Sequence, residues 1–276
     1  MLGGSSEDLR KIANHIRRDI ITMVSEAGSG HPGGSLSAAD IVTALYFGIM
    51  KHDPENPCWE ERDRFVLSKG HACPVVYAAL AEAGYFPKEE LMTLRKLGSR
   101  LQGHPDKRKV PGFETSTGSL GQGLSIAAGM AMGLKMDGRK NKVYCLMGDG
   151  ELDEGQIWEA AMTASHYKLD NLCGIVDRNG LQIDGRTSDV KNIEPLPEKW
   201  KAFGWNVLEA DGHDIDDILY DLNRFRHTHF RPTVIIAHTI KGKGVSYMED
   251  QAGWHGKAPN AEQARQALED LSGEVE

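Results

Sequence analysis

Apolar residues along this chain fall into two rhythms, and their alternation predicts the architecture. Leu9, Ile12, Ile16, Ile20 and Val24 recur at helical spacing behind the capping candidates Ser5 and Ser6, predicting a first helix that ends before Gly28. A second helix is expected from Ser37, a capping serine, through "AADIVTALYFGIM". The stretch between them, "GSGHPGGS", is too rich in glycine for regular structure and reads as a loop. "RFVL" (64–67) reads as a short strand leading into "SKGH", followed by helices over about 73–83 and 87–97, the second opening with Pro87. From residue 121 the order becomes regular. "GQGLSIAAGMAMGLK", "GQIWEAAMTASHY" and "DIDDILYDLNRFR" read as helices, interleaved with the strands "KVYCLM", "LCGIV", "WNVLEA" and "TVIIA". Continuous apolar strands alternating with helices predict an α/β fold of three α-β-α layers, with a mostly parallel sheet covered on both faces. No internal repeat, low-complexity linker or composition break interrupts residues 1–276, so one domain is expected, with a short helical tail after Pro259.

Composition narrows the function classes. The 276 residues are 40% hydrophobic, enough for a sizeable core, and the net charge of −8 without a basic stripe argues against a nucleic-acid surface. Cys58, Cys73, Cys145 and Cys173 show no CxxC or framework spacing, and two sit in strand-like apolar runs, so reduced, buried thiols are expected. The N-terminus lacks a signal-peptide pattern, and no apolar run approaches the roughly 18 residues of a membrane helix. A soluble cytoplasmic protein is expected, with no membrane or nucleic-acid partner.

The chemistry concentrates in "GDGELDEG" (148–155), which crowds four carboxylates into six residues directly after an apolar strand. Such crowding calls for a cation. Ligands of open α/β sheets bind beyond the carboxyl ends of the strands, and "DRNGLQIDG" (177–185) follows the next strand. Asp149 and Asn179, 30 residues apart, are one strand–helix–strand unit from each other, which would bring both side chains to one sheet edge. A carboxylate and an amide oxygen suit a hard cation such as Mg²⁺, with ligand phosphates filling the remaining positions. The helix from Gly155 is expected to aim its N-terminus, which favours anions, at the same place. A metal-bridged diphosphate satisfies these charges; an Asp in a glycine-flanked turn can also be a turn former only. An EF-hand is disfavoured, since the sixth position of the loop is Glu154, not Gly.

"GDG" followed about 30 residues later by Asn resembles the thiamine diphosphate signature. "SGHPGG" (29–34), "LSKGHA" (67–72), "LGSRLQGHPD" (97–106), "STGSLGQG" (116–123), "GDGELDEGQIWEA" (148–160), "TIKGKG" (239–244) and "WHGKAP" (254–259) resemble the transketolase family, in its order. The resemblance covers nearly the whole chain, yet a complete transketolase is much longer, so the N-terminal subunit of a split transketolase is implied. It implies the thiamine diphosphate-binding fold, with Asp149, Asn179 and the carbonyl of Leu181 as ligands of Mg²⁺ (or Ca²⁺). Gly148 and Gly150 would approach the diphosphate; Gly118 and Leu120 would touch the aminopyrimidine, although Ser119 stands where many members have Pro.

Of eleven histidines, His31, His71, His104 and His255 lie in loops matching family motifs. By resemblance, His71 and His255 lie near the diphosphate and the reacting carbon. His104 binds the donor's C1 hydroxyl, and His31 orients sugar hydroxyls and moves protons. Lys241 would add positive charge near the phosphate-bearing side; a solvated loop lysine is the competing reading. Glu154 matches the glutamate that faces its counterpart across the family's dimer interface, where two close carboxylates retain a proton. Glu151 and Asp153 are expected to be exposed first-turn acids.

The glutamate that activates the aminopyrimidine and the groups that hold sugar phosphates belong, in the family, to a pyrimidine-binding domain with no counterpart here. A C-terminal partner subunit is implied, in an α2β2 assembly acting on sugar phosphates as a glycolaldehydetransferase of the pentose phosphate pathway. A subunit of a specialised sugar transketolase (apiose-type or sulfonated), a deoxyxylulose-phosphate synthase, a 2-oxo-acid dehydrogenase α chain or a non-catalytic cofactor-binding subunit remain open alternatives. The paired "SGHPGG" and "QGHPD" histidines favour sugar chemistry.

Overall fold

A computed structural model describes residues 5–273, so the extreme ends of the expected 1–276 domain lie outside the described residues. The first helix, α1 (Ser6–Ala27), opens with a capping box. Ser5 Oγ accepts from Asp8 N at 3.2 Å, Ser5 N donates to Asp8 Oδ2 at 2.9 Å, and Gly28 closes the helix at φ 59°.

The next segment departs from expectation. Helix α2 (Pro32–Ser37) begins inside the glycine-rich stretch, with Pro32 pre-setting its first turn. Its glycines serve close approach rather than looseness, since a Cβ at Gly33 would stand 2.8 Å from the carbonyl oxygen of Trp254. Helix α3 (Ala39–Thr43) then widens into π-type turns over Ala44–Ile49. Strand β1 (Arg64–Leu67) and helix α4 (Cys73–Glu82) follow as expected. The predicted helix over 87–97 is only a 3-10 segment, Lys88–Thr93. Leu94 is extended at ψ 126°, and Arg95, at φ 60°, donates its N–H to Leu101 O instead of to a helical carbonyl.

The second half matches the predicted order. Helix α5 (Gln122–Met136), strand β2 (Val143–Gly148), helix α6 (Gly155–His166) and strand β3 (Leu172–Arg178) come first. A small antiparallel pair, β4 (Leu181–Gln182) and β5 (Gly185–Arg186), then folds the "NGLQIDG" segment back on itself. Helices α7 (Thr187–Val190) and α8 (Leu196–Ala202), strand β6 (Asn206–Asp211), helix α9 (Ile215–Arg226), strand β7 (Thr233–His238) and the tail helix α10 (Ala261–Asp270) complete the described chain.

The sheet runs β1-β2-β3-β7-β6, parallel throughout. Alternate strand residues face opposite cores. Tyr144, Leu146, Cys173, Ile175 and Ile235 pack with α1, α3, α4 and α9, whereas Val143, Cys145, Met147, Leu172 and Ile236 pack with α5, α6 and α8. That burial on both faces is why the strands read as unbroken apolar runs. Cys73, Cys145 and Cys173 are buried free thiols, and Cys58 is exposed. Among the described residues no helix is long and apolar enough to cross a membrane.

Strand ends are level at one edge. Gly148 registers with Asp177, Asp177 with Ala237, and both Arg178 and Asp211 with His238. The loops after β1, β2, β3 and β7 therefore meet there. Gly70, between Lys69 and His71, touches the 117–118 loop so closely that a Cβ would lie 2.7 Å from Gly118 N and from Thr117 C. Gly70→Ala is expected to lower stability by about 1–3 kcal/mol, the cost of overpacking, in urea unfolding; wild-type stability in that variant would contradict the packing described.

Candidate active site

The level strand ends enclose a cavity of about 250 Å³. Asp149, at the end of β2, is 1% exposed and turns its carboxylate toward the loop after β3. Its Oδ2 accepts from Gly180 N at 2.6 Å and pairs with Arg178 Nη1 at 3.1 Å, while Oδ1 accepts from Gly150 N at 2.8 Å. Burial, followed by the nearby Asp177 charge, raises the Asp149 carboxyl to about 6. Asn179 is oriented by Asp177: its Nδ2 donates to Asp177 Oδ2 at 3.2 Å, and its Oδ1 accepts from Leu181 N at 3.1 Å with a second lone pair to spare. Asp149, Asn179 and Leu181 all line the cavity. A buried carboxylate beside an amide oxygen is a hard donor set, and Gly150 leaves room, since a Cβ there would stand 2.8 Å from Gln182 Cβ. The residues present fit a Mg²⁺-type ion shared with a ligand's diphosphate.

The four motif histidines converge on the same cavity. His31 lies with its ring centroid 5.3 Å from His71, 6.2 Å from His104 and 5.5 Å from His255, and His71 lies 5.0 Å from His255. Burial, then the charge of Arg95, lowers His31 to about 4; burial, then Lys241, lowers His255 to about 3. His71 is also lowered, by burial and then Lys69, and His104 by burial and then Arg95. Neutral imidazoles result, each with one donor and one acceptor nitrogen. Gly118, at φ 148°, touches His104, and Leu120 lies beside it on the cavity wall.

Lys241 is 2% exposed, which settles against a solvated loop lysine. Its Nζ sits 2.9 Å from His255 Nδ1, and burial lowers it to about 8.

Two expectations need correction. Glu151 is not an exposed acid: it is 2% exposed and accepts from Ser68 Oγ, from Gly121 N at 2.8 Å and from Gly148 N at 3.0 Å. Its position one turn before α6 suggested solvent, but a 3-10 turn over Gly150–Asp153 rotates it inward. Asp153, by contrast, is half-buried. No residue of α6 lines the cavity, whose wall there is Gly148 to Glu151, so the expected α6 N-terminus is not part of it. Glu154, the predicted site residue expected between copies rather than in the cavity, is exposed at the start of α6 and is not among the residues lining the cavity.

Sequence reasoning passed over Lys69 and Asp177. Lys69 Nζ donates to Asp177 Oδ2 and, at 2.8 Å, to Gly34 O; Asp177 also accepts from Ser37 Oγ at 2.6 Å and from Thr239 Oγ1. The available signal was a charge closing each apolar strand, in "RFVLSK" and "LCGIVD".

Residues 9–274 match the family model described as transketolase, thiamine diphosphate binding domain. The chain belongs to the transketolase family. It is 47% identical to a 6-deoxy-6-sulfo-D-fructose transketolase subunit of Clostridium sp. (strain MSTE9), covering 97% of each chain. It is 48% identical to an apulose-4-phosphate transketolase subunit of Phocaeicola vulgatus, covering 94% of this chain and 92% of that one. The transketolase structure of Campylobacter jejuni superposes with a TM-score of 0.91 at 38% identity, over 96% of this chain and 42% of that one. The chain thus spans about two fifths of that transketolase.

Two expectations follow for this transketolase site. By NMR, His31 and His255 should still be neutral at pH 6, because both titrate well below the usual 6.5. Their folded values lie below the unfolded ones, so the unfolded chain takes up protons first and stability should fall as pH drops below about 6.5. Either imidazole titrating near 6.5 would contradict the burial described. Glu151→Ala leaves two amides and a hydroxyl unpaired and should cost about 2–4 kcal/mol in denaturant unfolding; a neutral effect would show those groups to be otherwise satisfied.

Proposed function

We propose that this chain is the thiamine diphosphate-binding N-terminal subunit of a two-chain transketolase, moving a two-carbon ketol unit from a ketose phosphate to an aldose phosphate. The observation that carries this reading is the convergence of Asp149, Asn179 and four neutral histidines on one cavity. Asp149, Asn179 and the Leu181 carbonyl would hold Mg²⁺ (or Ca²⁺), with Gly148, Gly150, His71, His255 and Lys241 around the diphosphate and Gly118 and Leu120 against the aminopyrimidine. When bound, the cofactor supplies the nucleophilic thiazolium carbon that carries the two-carbon unit.

The chain's own residues orient and relay protons. A neutral imidazole can donate to one hydroxyl oxygen while accepting from another, and burial keeps these four uncharged near neutral pH. His104 would hold the C1 hydroxyl of the donor and His31 the hydroxyls beyond it. Lys241, cationic and dry beside His255, adds charge for an anionic ligand at little reorganisation cost. Similarity to named subunits over nearly their full length supports a separate C-terminal partner that supplies the pyrimidine-binding half. Two copies of each chain in the cytoplasm complete the reading, with Glu154 facing its counterpart between copies. Two relatives named for 6-deoxy-6-sulfo-D-fructose and for apulose-4-phosphate favour a specialised sugar over those of the pentose phosphate pathway, a choice that lies with sugar contacts in the partner.

The test is reconstitution. The purified chain alone should show little or no ketol transfer, and adding its partner should restore transfer that depends on Mg²⁺ and cofactor. Robust turnover by the chain alone would refute the two-chain reading. Asp149→Ala should weaken metal-dependent cofactor binding by more than the roughly 10–100-fold typical of losing an outer-shell partner; unchanged affinity in the assembled enzyme would refute the metal assignment.

A further inference from the structure

His213 stands outside the cavity, in the turn between β6 and α9, and no role described so far uses it. Its Nε2 receives the N–H of Ile240 at 2.8 Å, and its Nδ1 lies 2.8 Å from Asp40 Oδ2. A backbone amide can only donate. Nε2 is therefore bare, and the ring's hydrogen sits on Nδ1, where Asp40 accepts it. Asp40 is buried in α3 and is held in turn by Arg17 of α1. Two helices thus set one tautomer of one imidazole.

What that tautomer holds is the loop after β7. Ile240 precedes Lys241, whose Nζ lies 2.9 Å from His255 Nδ1 on the cavity wall. The approach is built in: Gly212 N donates to His238 O at 2.8 Å, and a Cβ at Gly212 would collide with Thr239 Cγ2 and lie 2.9 Å from His238 O. Neighbouring anchors on the same loop are Thr239 N to Arg178 O at 3.1 Å and Gly242 N to Gly33 O at 3.0 Å. Losing the His213 tether alone should loosen the loop without unfolding the chain.

We infer that His213 is a positioning residue: its bare Nε2 fixes the amide of Ile240 and through it sets Lys241 against His255 at the anionic end of the ligand site. The inference rests on the reading of the cavity as a diphosphate-cofactor site. The merely structural alternative is that His213 serves only to satisfy the buried Asp40.

Two substitutions separate these roles. His213→Asn places an amide nitrogen where Nδ1 stands, keeping the donor to Asp40 and removing the acceptor for Ile240. His213→Gln reaches the position of Nε2, keeping an acceptor for Ile240 and dropping the bond to Asp40. Hydrogen exchange of the Ile240 amide is read in the full chain, and thiamine diphosphate affinity is read with Mg²⁺ in the chain assembled with its partner. His213→Asn should speed Ile240 exchange about tenfold and weaken affinity about five- to tenfold, the value of one hydrogen bond, with His213→Gln within about twofold of wild type. Wild-type exchange and affinity in His213→Asn, or an equal loss in His213→Gln, would overturn the inference. Failure of the wild type to bind the cofactor would instead count against the site reading, while the exchange comparison still decides whether His213 tethers the loop.

Discussion

The cavity hangs from one buried ion pair. Asp177 is wholly buried, and its carboxylate receives Lys69, Ser37, Thr239 and the amide of Asn179. Burial alone would raise its pKa, yet the Lys69 charge and these hydrogen bonds hold it below the usual carboxylate range. Each partner belongs to a different wall: Lys69 to the loop carrying His71, Ser37 to the helix opening at His31, Asn179 to the loop after β3, and Thr239 to the loop carrying Lys241. A charge taken out of water is tolerated only when its lone pairs are filled, so the position of Asp177 dictates where three loops and one helix must meet. Glu151 performs the same service for the remaining wall, joining Ser68, the amide of Gly121 and the turn of Asp149. Two satisfied carboxylates, neither lining up as a catalyst, tie the walls of the site to one another.

Burial also sets the electrostatics. The same burial that forces Asp177 and Lys69 to pair also strips water from the histidines and from Lys241, holding the imidazoles neutral and lowering the ammonium. Asp149 follows the same rule from the acidic side. Burial and the Asp177 charge raise its carboxyl, against the opposing pull of Arg178 and two amides.

Much of this was legible in the sequence because periodic burial leaves a periodic trace. The strands β2, β3 and β7, buried on both faces, and the helices α1, α5 and α9 follow directly from apolar spacing, and the Asp149–Asn179 interval reports one strand–helix–strand unit. The four motif histidines were legible through the family's spacing of short segments. The failures share a cause: they depend on three-dimensional closeness rather than period. Glycines 33 and 34 read as loop formers, yet Gly33 permits a helix to press on the Trp254 carbonyl. Glu151 read as a solvated acid because nothing local announces that Ser68 and Gly121, distant in sequence, supply its donors. Residues 87–97 carry helical spacing, but the left-handed Arg95 and its bond to Leu101 end the helix early.

The function proposed for the cavity requires a divalent cation that bridges Asp149 and Asn179 to the diphosphate of the cofactor. Anomalous diffraction from crystals of the assembled enzyme grown with Mn²⁺ and thiamine diphosphate addresses it directly. The predicted result is a single metal peak within about 2.0–2.6 Å of an Asp149 carboxylate oxygen and of Asn179 Oδ1. Cofactor density in the cavity with no peak between those two side chains, or with the metal held elsewhere, would contradict it.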